Sequence, residues 1–329
     1  MNKILEVSKL NINFQTKSGL VKAISDVSFQ LHKGETLGVV GESGCGKSIT
    51  NLAILGLLPG NAIYSADKID FCQQSLLNLT TSQWQKIRGN KISMIFQDPM
   101  SALDPSFTIG MQMVETILAH QTHLSKKEAF DLSLELLDSV GISDSTKRIK
   151  QYPHQVSGGM AQRIMIAMSI SNQPELLIAD EPTTALDVTI QAQIIDLLKK
   201  LQEERNMGMI LVSHDLGVIR ENSDIIQVMY AGEVVERASS TDLIQTPIHP
   251  YTHGLLKSLP SMNKEERKLQ LYSIPGTVPS LDNRPAGCQF GERCDLKTPS
   301  CESFQHQLFP STKKAKHFHS CLEQKENQS

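Results

Sequence analysis

Gly41-Glu42-Ser43-Gly44-Cys45-Gly46-Lys47-Ser48 is the stretch on which the reading of this chain turns. It follows an apolar run, Thr36-Leu37-Gly38-Val39-Val40, and opens residues 47–58, whose apolar spacing is helical. The pattern G-x-x-x-x-G-K-[ST] between a strand and a helix is a phosphate cradle. Its glycines let the backbone curl until successive N–H groups point inward, and the helix adds the positive end of its dipole. In such a loop Lys47 reaches the β- and γ-phosphates of a nucleotide, and the Ser48 hydroxyl suits Mg2+. An accidental glycine-rich turn would not also have the strand before it and the helix after it.

Working outward, residues 3–41 read as three strands, with a turn at Lys33-Gly34 before the last. The helix after the loop is expected to end at Pro59-Gly60, and residues 61–90 read as polar and irregular. Lys91-Ile92-Ser93-Met94-Ile95-Phe96-Gln97 returns as a short buried strand, and residues 108–140 have helical spacing. A helix beginning at Gly158, an apolar strand at 175–180 and helix, strand, helix near 189–205, 208–213 and 216–222 complete the alternation. That order predicts a largely parallel α/β sheet. Beyond about residue 240 the composition shifts to Pro, His and Cys, which predicts a separate C-terminal extension.

The bulk numbers remove several classes. With 329 residues, 40% hydrophobic and 20% charged, the chain is globular rather than disordered. A formal net charge of −3 gives no basic field for nucleic acid. No apolar run approaches the roughly 20 residues that span a bilayer, and the N-terminus alternates like a strand instead of presenting a signal peptide's apolar block. A cytoplasmic protein that reaches membranes through partners is expected. Of six cysteines, Cys288, Cys294, Cys301 and Cys321 crowd toward the C-terminus. In a reducing compartment that cluster reads as a metal or iron–sulfur site before it reads as disulfides.

Two further motifs complement the phosphate loop. Leu176-Leu177-Ile178-Ala179-Asp180-Glu181 is an apolar strand running into carboxylates, and parallel strands deliver active-site residues at their carboxyl ends. There Asp180 would hold Mg2+ and Glu181 would polarise an attacking water. Ser157-Gly158-Gly159, before Met160-Ala161-Gln162-Arg163, is a second anion-binding helix start, with Ser157 as cap.

In this order the motifs resemble those of ABC ATPases. Gln97 matches the Q-loop glutamine, Ala185-Leu186-Asp187 the D-loop and His214 the switch histidine. Phe14 stands where that family stacks an aromatic on adenine, although a strand Phe also serves as core. Val156 and Met160 stand where Leu and Gln are usual in the signature, and neither change removes the Ser-Gly-Gly. The resemblance covers roughly residues 3–240. It implies a cassette with a parallel or mixed sheet core, an antiparallel β subdomain and a helical subdomain inserted at about 100–172, in an ATPase domain 1–240 followed by an extension 241–329.

It also implies a head-to-tail pair. Lys47, Ser48, Gln97, Asp180, Glu181 and His214 would act on one ATP, with Ser48, Gln97 and Asp180 toward Mg2+. Residues 41–48 would cradle its phosphates, and Ser157, Gly158 and Gly159 would meet the partner's nucleotide. For Cys45, beside Lys47 at a helix N-terminus, a lowered pKa and a reactive thiol are expected.

Three stretches resemble the peptide and nickel permease branch: Gln97-Asp98-Pro99-Met100-Ser101-Ala102-Leu103-Asp104-Pro105, Thr246-Pro247-Ile248-His249-Pro250-Tyr251-Thr252, and the cysteine spacing. The likeness is to the D-type ATPase of dipeptide and oligopeptide permeases. It implies pairing with an F-type ATPase, two membrane permease subunits, a periplasmic or extracellular substrate-binding protein, and a peripheral place on the cytoplasmic face of the inner membrane. Cysteines 288, 294, 301 and 321 would hold a [4Fe–4S] cluster, zinc, or nothing beyond reduced thiols. Nickel or antimicrobial-peptide import stays open as cargo. A soluble ABC ATPase of translation or DNA repair is disfavoured by the single cassette and the lack of heptads or a basic patch.

Overall fold

Lys3–Thr16 and Gly19–His32 largely alternate buried and wetter side chains, the period of strands with one covered face. Thr36–Val40, Leu176–Asp180 and Gly208–Ser213 are buried at every position, as befits strands covered on both faces. The structure, a computed structural model, describes residues 2–17, 19–184, 186–259, 272–312, 314 and 316–322. Packing divides the chain into two units. One comprises Met1–Ile4, His32–Glu35 and Asn78–Leu211; the other comprises Leu5–Leu31, Thr36–Leu77 and Val212–Ser329.

In the first unit the strand Ile92–Ile95 runs parallel to Leu176–Asp180, with Ile92 opposite Leu176 and Ile95 opposite Ala179. Helices Ile109–Leu118, Lys126–Ser139, Gly158–Ile170 and Val188–Arg205 supply much of the rest of its core, including Ile109, Leu137, Ile164 and Leu198. The 108–140 stretch, expected to be helical, forms two helices. Ser125 caps the second in a reciprocal box with Glu128, so the chain restarts there.

In the second unit Thr36–Val40 lies parallel to Ile225–Tyr230, which pairs antiparallel with Glu233–Ser239. Short strands Phe318–His319 and Phe309–Pro310 extend that edge. A separate antiparallel sheet is built on Lys3–Thr16, which pairs with Ala62–Ser65 and Lys68–Phe71. Tyr251, Phe290 and Phe304 belong to this same unit as the phosphate-loop strand.

Two local expectations are corrected. Residues 61–90 are ordered as strands Ala62–Ser65, Lys68–Phe71 and Gln74–Ser75 and a helix Thr81–Ile87 capped by Thr80. They look polar because only Ile69, Phe71, Leu76 and Ile87 of this stretch reach the core. The helix from Lys47 stops at Ile54, before Pro59. Gly56, at φ 60°, takes the left-handed position, and the Leu57 N–H bonds back to the Leu52 carbonyl at 2.8 Å.

Candidate functional site

The phosphate loop lies in the second unit. Thr36–Val40 delivers the chain to Gly41, and Lys47–Ile54 leaves it. A Cβ at Gly41 would collide with the Met229 carbonyl and the Cys45 sulfur, so only glycine allows the loop to lie this close to the neighbouring strand. Gly44 and Gly46 take φ of 78° and 105°, the left-handed values that curl the cradle. Lys47 is 5% exposed, and its ammonium donates to the Gly41 carbonyl at 2.8 Å and to the Glu42 carbonyl at 3.2 Å. Ser43, Gly44 and Ser48 are exposed, and Gly46 is half-buried.

Cys45 overturns its expectation. Its thiol is 1% exposed, and burial pushes its pKa up although Lys47 lies 3.8 Å away and pulls the other way. The sequence places a cation beside the sulfur; the fold removes the water.

The carboxylates lie in the first unit. Asp180 ends the strand Leu176–Asp180 and is 4% exposed. Glu181 follows with φ of 47°, a left-handed conformation unusual for a residue with a Cβ. That turn brings its carboxylate to two donors, the Gln97 side-chain amide at 3.1 Å and the Thr184 hydroxyl at 3.0 Å. Gln97 and Glu181 were separate expectations, and here they meet. Thr184 was not singled out; its signal was its place three residues after the carboxylate, where a hydroxyl turns back on the chain.

The Ser-Gly-Gly motif also lies in the first unit and opens the helix Gly158–Ile170. The Ser157 hydroxyl accepts the Met160 N–H at 3.3 Å. A cavity of about 450 Å³ opens here, lined by Ser157, Gly158, Gly159, Arg163, Leu186 and Asp187 among others. Arg163 is held by the Val140 carbonyl at 2.6 Å and the Gln193 side chain at 2.9 Å, so this cavity pairs a cation with a helix N-terminus. Asp187 caps the next helix through the Ile190 N–H at 3.0 Å; Ala185 of the D-loop lies outside the described residues.

In the second unit, His214 is exposed just past the strand Gly208–Ser213. Asp215 beside it caps the helix Leu216–Asn222 through the Gly217 N–H at 2.7 Å. Phe14 is half-buried on Lys3–Thr16, opposite Ala62. The donors Ser48 hydroxyl, Gln97 amide oxygen and Asp180 carboxylate are all hard oxygens, the chemistry Mg2+ takes.

The iron–sulfur expectation fails. Cys288, Cys294, Cys301 and Cys321 do line one small cavity, with Phe290 and Phe304. Among the described residues, however, no group of three or more His, Cys, Asp or Glu side chains is placed to hold a metal ion. The lining is apolar, and burial, with smaller contributions from the neighbouring cysteines, pushes the Cys288 thiol up to about 12. The same surroundings hold Tyr251 and Arg293, which contact the phosphate loop at Glu42. Tyr251 was singled out as part of a motif and Arg293 was missed; no local pattern marks an arginine whose partner is 251 residues away.

Residues 24–184 match the ABC transporter family, and residues 235–301 match the oligopeptide/dipeptide transporter C-terminal region. A dipeptide transport ATP-binding protein of Lactococcus lactis is 50% identical over 291 residues, covering 88% of this chain and 83% of that protein. An oligopeptide transport ATP-binding protein of Bacillus subtilis is 47% identical over 309 residues, 94% of this chain and 93% of that one. A bacterial ABC transporter cassette solved as a dimer superposes with a TM-score of 0.64 at 27% identity, over 72% of this chain and 98% of that one.

The chain belongs to the ABC transporter ATPases. Its cassette is followed by a C-terminal region of the oligopeptide/dipeptide transporter type. Membership implies membrane-permease partners and pairing of cassettes. Among the described residues no helix is long and apolar enough to cross a membrane.

Proposed function

We propose that this chain hydrolyses ATP to energise import of di- and oligopeptides across a bacterial inner membrane, from its cytoplasmic face. The observation that carries the cargo class is the C-terminal match at residues 235–301, which includes His249-Pro250-Tyr251-Thr252. The names of the dipeptide and oligopeptide relatives support it over most of the chain. In this reading residues 1–240 form the ATPase domain, with a helical insertion at about 100–172, and 241–329 form the extension. The chain pairs head to tail with an F-type ATPase and works with two permease subunits and a substrate-binding protein.

The chemistry is positioning and charge stabilisation. Residues 41–48 cradle the phosphates of ATP, and Lys47 meets the β- and γ-oxygens. Ser48, Gln97 and Asp180 would hold Mg2+, which would supply neutralisation of phosphate charge. Glu181 takes a proton from the attacking water, and Gln97 and Thr184 orient its carboxylate. His214 contacts the γ-phosphate and Phe14 stacks on adenine. Ser157, Gly158 and Gly159 offer a helix N-terminus to the partner's nucleotide. Loss of the bridging phosphate then releases the pair.

Glu181→Gln in the native cell tests both halves. We expect ATP binding to persist, turnover to fall by about 10²-fold or more, and labelled peptide uptake to be lost while nickel uptake continues. Wild-type turnover would remove Glu181 as the base. Loss of nickel uptake alone would overturn the peptide assignment.

A further inference from the structure

The phosphate loop is gripped at Glu42 from far outside its own motif. The Glu42 N–H donates to the Tyr251 hydroxyl at 3.0 Å. The Glu42 carboxylate accepts from the Arg293 guanidinium at 2.9 and 3.1 Å. Both partners are themselves fixed. Tyr251 is fully buried, with its ring 4.7 Å from Tyr230 and 5.4 Å from Phe290. It lies two residues into a segment whose Ile248 and His249 N–H groups donate to the buried Glu236 carboxylate at 2.7 and 2.9 Å. The Arg293 side chain is 5% exposed. It donates to the Pro275 carbonyl at 2.8 Å and lies 5.7 and 5.9 Å from the Tyr230 and Phe290 ring centres.

These contacts act on two properties of the loop. Glu42 is the residue whose carbonyl, with that of Gly41, accepts the Lys47 ammonium, so fixing its N–H fixes the loop that holds the phosphate lysine. Its carboxylate also brings negative charge into a loop meant for phosphate, and like charges repel. Arg293 neutralises that charge through one terminal nitrogen, Nη1, which donates to both carboxylate oxygens, while its Nε and Nη2 are held by the Pro275 and Ile274 carbonyls.

We propose that Tyr251 and Arg293 are positioning residues for nucleotide binding: the C-terminal region sets the shape and charge of the phosphate loop through Glu42. Neither touches the nucleotide. ATP affinity thereby depends on residues outside the 24–184 cassette match. The inference rests on the proposed reading of residues 41–48 as the ATP cradle.

The test is titration of the purified full-length chain with ATP, together with steady-state hydrolysis by the chain paired with its partner ATPase in the assembled transporter. Arg293→Met weakens ATP binding about tenfold, the order expected for losing a charge-assisted pair, and raises KM with kcat nearly unchanged. Glu42→Gln added to Arg293→Met recovers most of the loss, because the uncompensated charge is gone. Tyr251→Phe, which keeps the ring and removes the hydroxyl, weakens binding about threefold. If Arg293→Met fails to fold, Arg293→Lys serves in its place and is expected to weaken binding about threefold, because an ammonium at Glu42 gives up the hydrogen bonds to the Pro275 and Ile274 carbonyls that hold the guanidinium there.

Wild-type ATP affinity in the Arg293 variant, or a double variant no better than Arg293→Met, overturns the proposal, provided that Lys47→Ala loses ATP binding. If Lys47→Ala binds ATP like the wild type, the cradle assignment fails and the proposal falls with it.

Discussion

Lowering the pH from 7 to 4.5 is expected to loosen the C-terminal region through one imidazole. His249 is 2% exposed and caps the helix Pro250–Lys257, its Nδ1 accepting the Tyr251 N–H at 3.1 Å. Only a ring with an unprotonated nitrogen can accept. Burial holds this imidazole down to about 4 against an ordinary 6.5; Glu236 pulls it up, and His319, His306 and His253 add to the depression. The unfolded chain therefore takes up a proton near 6.5 and the folded chain only near 4. Below 6.5 the unfolded state gains protons that the folded state refuses, so stability falls as pH falls and levels off below about 4.

At about 1.4 kcal/mol per pKa unit the full gap is worth ~3 kcal/mol, of which ~2 kcal/mol is lost between pH 7 and 4.5. The assay is hydrogen exchange of the amides of Tyr251–Lys257, expressed as protection over the intrinsic rate at each pH. Protection should fall about 30-fold over that range. His249→Asn keeps a capping oxygen and takes up no proton, so its protection should change less than about twofold. An asparagine variant that loses as much protection as the wild type would refute the assignment to His249.

Other consequences follow from the same geometry. Iodoacetamide should label the exposed Cys72 well before the buried Cys45, whose thiol burial holds protonated; peptide mass spectrometry showing the reverse order would mean that the loop opens freely. Ser157→Ala removes the cap on the Met160 N–H and should cost about 1 kcal/mol, read from the denaturant midpoint. It should also weaken ATP-driven pairing, read by sedimentation, and full-strength pairing would take Ser157 out of the partner's nucleotide site.

Much of the site was readable because its parts are contiguous. The phosphate cradle needs eight neighbouring residues, a strand before them and a helix after, and all three are visible as pattern. Ser157 as a cap and Asp180 at a strand end are equally local. The 61–90 stretch was misread because a strand with few core contacts shows little periodicity. Its partner for pairing, Lys3–Thr16, lies some fifty residues earlier.

What the sequence by itself determined is thus the chemistry that neighbouring residues supply: phosphate binding, an acid pair after a strand, and the family these motifs define. Only the tertiary structure decided what distant residues and excluded water do to that chemistry. It set the Glu181 carboxylate between Gln97 and Thr184. It raised the Cys45 and Cys288 thiols by burial when a neighbouring lysine or a cysteine cluster suggested thiolates. It also joined Glu42 to Tyr251 and Arg293. Burial and long-range hydrogen bonds depend on which segments the fold brings together, and no run of adjacent letters encodes that alone.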